Sequence, residues 1–145
     1  MTRERMNLWV GIPFRHMGRT RGEGLDCFGL LSLWLKEEMA VDLPLEDELG
    51  AVYPVEPREE ELNRLRRHLA EYLTYIEEPD LDRLLEGDVL LDEQCHLYVV
   101  VLDHELAPKP GGGVRMPAKV ITTWRHSGSV CRDFKPRMAM EVYRP

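Results

Sequence analysis

Apolar positions divide the chain into two textures. Between residues 26 and 39, Phe28, Leu31, Leu35 and Met39 recur at three- and four-residue spacing, which predicts a helix with one apolar face. Asp26 stands where an N-cap would accept from the first free amides, leaving Cys27 in the first turn. A second amphipathic helix is predicted over 58–76, with Leu62, Leu65, Leu69 and Leu73 on one side. Its early Glu59, Glu60 and Glu61 and its later Arg64, Arg66 and Arg67 complement the helix dipole in part. Ahead of these helices, residues 7–14 form a short apolar segment closed by Pro13. Residues 15–24 are rich in glycine and arginine and lack periodicity, and 43–57, with three prolines, reads as a connecting loop.

The pattern changes at Gly87-Asp88. Residues 89–91, 96–102, 119–124 and 138–143 read as strands separated by Asp-, Gly- and Pro-bearing turns. The 96–102 strand is apolar on both faces, Leu97, Val99 and Val101 on one and Tyr98, Val100 and Leu102 on the other. A strand of that kind is central and covered. Helices first and strands afterwards predict an α+β protein, N-terminal helices packed on a C-terminal antiparallel β-sheet. With no internal repeat or low-complexity tract, the 145 residues fit one domain, 1–145.

Composition narrows the classes. The chain is 43% hydrophobic and 31% charged, as in soluble globular proteins, and its net charge of -7 argues against broad phosphate-backbone binding. Arg15, Arg19 and Arg21 nevertheless cluster before Cys27. No apolar run approaches the roughly 20 residues a membrane span needs, and no apolar stretch follows residues 1–6 as a secretory signal would require. Three scattered cysteines do not make a disulfide framework, so synthesis in a reducing compartment is the simplest expectation.

The candidate chemistry centres on Cys27 and His96. A helix N-terminus favours the thiolate, and its unpaired amides suit the oxyanion formed when a thiolate attacks an acyl carbon. Gly29 would leave the turn open to a substrate. Taken alone, Cys27 also reads as a small buried hydrophobe. His96 opens the covered strand, where a titratable ring is costly without a partner; the alternatives are a catalytic base and a core histidine bonded to a carbonyl. Cys95 is a rival nucleophile, but strand alternation would turn it away from His96. Cys131 has no helix-start context and reads as structural. No metal is expected, because the sequence has neither C-x-x-C nor H-x-x-x-H spacing.

A family resemblance rests on several blocks. Gly11-Ile12-Pro13-Phe14-Arg15-His16, Gly18-Arg19 and Gly24-Leu25-Asp26-Cys27-Phe28-Gly29-Leu30 together resemble the nucleophile region of NlpC/P60 peptidases. The Pro-Phe-Arg-His form and the ending Val142-Tyr143-Arg144-Pro145 resemble the versions found in phage tail-assembly gene clusters and gene transfer agents. Gly87-Asp88-Val89-Leu90-Leu91 followed by His96 resembles the second block, and Gly111-Gly112-Gly113-Val114 the glycine turn after it. The resemblance implies a papain-like NlpC/P60 fold and hydrolysis of amide bonds in peptidoglycan stem peptides, without a cofactor. It implies Cys27 as nucleophile, His96 as base, and Asp26, Phe14, Arg15 and His16 as substrate-binding residues, Asp26 toward the substrate's free amine. It further implies phage tail hub or tip proteins as partners, and a protein made in the host cytoplasm without a signal peptide and carried in the virion tail. A structural tail-tip component with weak or no hydrolysis is the alternative.

Two departures bear on activity. Phe14 stands where many cell-wall members carry a tyrosine, so that hydroxyl is missing. A triad also needs a polar group to hold the imidazole, which in relatives usually lies on the strand after the histidine strand. A tight hairpin at Asp103-His104 would set Glu105, Ala107 and Lys109 beside the His96 face, and none of them suits the task. His126 would serve only if the strand ending at Trp124 runs alongside. Three explanations stay open: a main-chain carbonyl or loop as orienter, a different hairpin register, or weak activity.

Overall fold

The computed structural model describes residues 1–44, 59–103, 118–134 and 140–145. Its elements are α1 (Arg3–Asn7), β1 (Arg19–Thr20), β2 (Gly24–Leu25), α2 (Cys27–Met39), α3 (Glu59–Tyr72), β3 (Thr74–Ile76), β4 (Val89–Asp92), β5 (Leu97–Leu102), β6 (Ala118–Trp124), β7 (Gly128–Asp133) and β8 (Met140–Arg144). The fold is α+β. Six strands form one sheet in the order β3-β8-β4-β5-β6-β7, every neighbouring pair antiparallel.

α2 begins where the sequence predicts, with Asp26 as its N-cap, and stops at Ala40, whose left-handed φ of 55° ends the helical ladder. Its burial is broader than one face. Every residue from Cys27 to Ser32 is buried, whereas Met39 is 38% exposed. The helix packs against β5 and β6 on one side and the small β1–β2 hairpin on another, so its first half is enclosed and its last turn emerges. Phe28, Leu31, Trp34 and Leu35 join Leu97, Val99, Val101 and Ile121 in the larger core. On the other face of the sheet, Val100 packs with Leu84, Leu90, Val120 and Val142. β5 is thus covered on both faces.

Several expected boundaries move. The helix predicted over 58–76 ends at Tyr72, and Thr74–Ile76 form β3 instead, pairing Thr74 with Arg144 and Ile76 with Val142. A β-branched and aromatic triplet fits a pleated edge better than a helix, and β8 offers the edge. Residues 15–24, read as a loop, supply all but the last residue of the β1–β2 hairpin, in which Arg19 stands opposite Leu25. β7 has little period-2 signal; it pairs with β6 from Gly128 to Asp133, and Gly11 and Ile12 exchange backbone bonds with Ser129 along its outer side (2.9 and 2.8 Å).

The neighbours of β5 bear most directly on the site. Val99 pairs with Val89 of β4 and with Ile121 of β6, and Leu102 pairs with Ala118. β4 and β6 thus lie on the two sides of β5, and the expected pairing of 105–109 with 98–102 falls on residues outside those described. Glu105, Ala107, Lys109, His104 and the 111–114 glycine turn lie outside the described residues.

Candidate active site

The N-terminus of α2 is built on a buried carboxylate. Asp26 is fully buried, and its Oδ1 accepts from the Gly29 amide and from Arg19 Nη1, both at 2.7 Å. Its Oδ2 is buried with no hydrogen-bond partner among the described residues. The Arg19–Asp26 bond ties the β1–β2 hairpin to the helix start, and Arg19 Nη1 also donates to the adjacent Gly18 carbonyl at 3.0 Å. Gly29 has a different reason from the one its position suggested. A Cβ there would collide with the Gly18 carbonyl, so the glycine serves the close approach of hairpin to helix, not an opening for substrate.

Arg19 and Arg21 of the arginine cluster have different partners. Arg19 faces Asp26, whereas Arg21 lies over the Trp9 ring at 4.0 Å and donates to Glu37 at 2.7 Å. Arg15 and His16 are exposed. Phe14 is half-buried and forms a parallel bridge with Leu25, and the Arg15 amide donates to the Leu25 carbonyl at 3.3 Å. The backbone of 14–15 is thereby fixed two residues before Cys27. Cys27 itself is 4% exposed, in the first turn of α2.

His96 immediately precedes β5. The turn before it is held by Asp92, whose Oδ1 accepts from the Gln94 and His96 amides, both at 2.9 Å, and whose Oδ2 accepts from the Tyr98 hydroxyl at 3.0 Å. The imidazole stacks on Trp124, centroids 4.2 Å apart at 13°, and meets Tyr98 edge-on at 4.7 Å. Its Nε2 lies 2.7 Å from Thr122 Oγ1, and that hydroxyl donates to the Leu97 carbonyl at 2.7 Å. Burial pushes the imidazole down to about 4, against a partial upward pull from Asp92, so His96 is neutral at neutral pH.

Two observations relate these halves. Thr123 Oγ1 lies 3.5 Å from the Leu25 carbonyl, bringing the end of β6 against the entry to α2. The Tyr98 phenol is raised first by burial and then by Asp92, and the charge of Cys27 also acts on it. Cys27 packs in the core on the α2 side of the sheet, whereas Tyr98, which touches His96, packs with the cluster on the opposite face.

The other thiols differ. Cys95 is in the turn before β5, with φ of 59°, and not in a strand, so strand alternation does not apply to it. Burial, then Asp92, raises its pKa; burial also raises that of Cys131, whose Sγ lies 3.9 Å from Met6 Sδ. Among the described residues no group of three or more His, Cys, Asp or Glu is placed to hold a metal ion, and no helix is long and apolar enough to cross a membrane.

Thr122 is the site residue that sequence reasoning missed. Continuing the register from Val99↔Ile121 sets Thr122 opposite Tyr98 and Trp124 opposite His96. The sequence signal for it is the strand ending at Trp124, which the structure sets beside β5. His126, weighed on the same condition, lies exposed in the turn after β6. Compared with protein-family models and with curated proteins, the chain matches none.

Proposed function

We propose that this chain is a cysteine amidase of papain-like, NlpC/P60 type, acting on peptidoglycan stem peptides as part of a phage-like tail. The observation that carries the reading is Cys27 in the first turn of a buried, Asp26-capped helix that packs on β5 and β6, the strands that frame the His96 ring. The resemblance of the blocks around residues 11–30 and 87–96 supplies the substrate class, the tail location and the tail hub or tip proteins as partners.

In this reading His96 takes the thiol proton, and the Cys27 thiolate attacks the amide carbon. Free amides of the first turn receive the oxyanion. Collapse of the adduct breaks the C–N bond, His96 returns the proton to the leaving amine, and a thioester remains. Water, deprotonated by His96, then releases the acid and restores the thiol. The unpartnered, buried Oδ2 of Asp26 supports its assignment to the substrate's ammonium.

The low exposure of Cys27 and the phenylalanine at position 14 favour the second reading, a structural tail-tip component that retains the fold. Purified peptidoglycan incubated with the protein and with Cys27→Ala separates the two. New free amines, read by mass spectrometry, are expected from the unsubstituted chain alone. Equal product from both proteins, or none from either, would overturn the hydrolase reading.

A further inference from the structure

The hydrogen bonds of Thr122 determine which nitrogen of His96 carries the proton. A hydroxyl has a single proton to donate. The Leu97 carbonyl is an acceptor only, and at 2.7 Å from Thr122 Oγ1 it claims that proton. The same oxygen lies 2.7 Å from His96 Nε2, so there it must accept, and Nε2 must bear hydrogen. The lone pair of the neutral ring is then on Nδ1. Two further contacts oppose a ring flip: the face lies flat on Trp124, and Tyr98 meets the ring edge-on. Thr122 is itself 2% exposed, so water does not readily replace it.

We propose that Thr122 is the positioning residue of the His96 base, its hydroxyl holding the Nε2–H tautomer so that Nδ1 is the nitrogen that takes and returns the proton of Cys27. This deepens the amidase reading and rests on it for the identity of the proton donor. The tautomer itself does not rest on it. Nε2 keeps its hydrogen in both the imidazole and the imidazolium, so the bond to Thr122 persists while Nδ1 cycles. A neutral hydroxyl orients the ring without the charge a carboxylate would bring to the imidazolium. That agrees with a ring whose proton affinity is depressed.

The test compares Thr122→Val, which keeps the shape and removes the hydroxyl, with Thr122→Ser, which keeps the hydroxyl. The nitrogen NMR shifts of His96 at pH 7 report the tautomer without reference to activity. The unsubstituted protein and Thr122→Ser are expected to show a single Nε2–H form, and Thr122→Val a mixture or the Nδ1–H form. On peptidoglycan, Thr122→Val is expected to lose at least about tenfold in kcat with KM little changed, and Thr122→Ser to restore most of it. A single Nε2–H tautomer in folded Thr122→Val would overturn the proposal. So would a Thr122→Ser protein that folds but fails to recover the tautomer. If the unsubstituted chain hydrolyses nothing, the amidase reading falls and the NMR comparison still decides the role of Thr122.

Discussion

At the scale of single residues, His96 shows how burial sets a protonation state. Its ring lies against Trp124 and Tyr98, and among the described residues the polar contact on Nε2 is a hydroxyl, so a proton on the ring would be poorly solvated. The imidazole titrates near its ordinary 6.5 in the unfolded chain and near 4 in the folded one. Between these values the unfolded chain binds more protons. Stability therefore falls as pH drops from about 6.5 to about 4, and below that the contribution of this group levels off. The loss is at most about 3 kcal/mol. Urea unfolding of the protein and of His96→Phe at pH 7 and pH 4.5 checks it. The variant is expected to lose less stability on acidification, and equal losses would exclude His96 as the cause. The sequence made His96 conspicuous, since a titratable residue opens an apolar strand. It could not reveal the neutral state, which depends on the rings that close over it.

At the scale of elements, the start of α2 was legible and its surroundings were not. A cap needs only a residue of the right type one place before the helix, so Asp26 and Cys27 could be assigned from neighbours in sequence. The partner Arg19 and the collision that demands Gly29 come from a hairpin folded back on the helix, and short-range patterns carry no record of it. The energetic consequence is specific. Asp26→Ala removes the acceptor of the Gly29 amide and the carboxylate that Arg19 faces, with an expected cost of about 2–4 kcal/mol. Asp26→Asn keeps an acceptor for the amide and is expected to cost about half as much. Urea midpoints for the two variants check the order; an alanine variant within 1 kcal/mol of the parent would mean that the cap does not hold the helix. α3 illustrates the opposite error. Its leucine spacing runs on to Leu73, but the next three residues gain more by pairing with β8 than by extending the helix.

At the scale of the whole molecule, the last strand enters the middle of the sheet. β8 lies between β3 and β4, joining elements far apart in sequence. Arg144 closes the arrangement with two bonds to the fully buried Asp88, at 2.7 and 2.8 Å, and Asp88 also accepts from the Leu85 amide at 2.8 Å. Arg144→Met removes the cation and leaves the buried carboxylate uncompensated, so a loss of about 3–5 kcal/mol is expected, seen as a lower thermal midpoint. A change below 1 kcal/mol would show that Asp88 relaxes to water.

The sequence by itself determined the two main helices, the strands β4, β5, β6 and β8 that follow them, the capped cysteine, and the covered strand headed by His96. Those properties follow from periodicity and capping, whose range is a few residues. Only the tertiary structure decided that β6 lies beside β5, and hence that Thr122 meets His96. Strand partnership is a competition among distant segments, settled by which faces bury together and which edges remain free. A shift in that pairing replaces every cross-strand neighbour at once. The two members of the proposed dyad could therefore be read from the chain, and the group that orients the base could not.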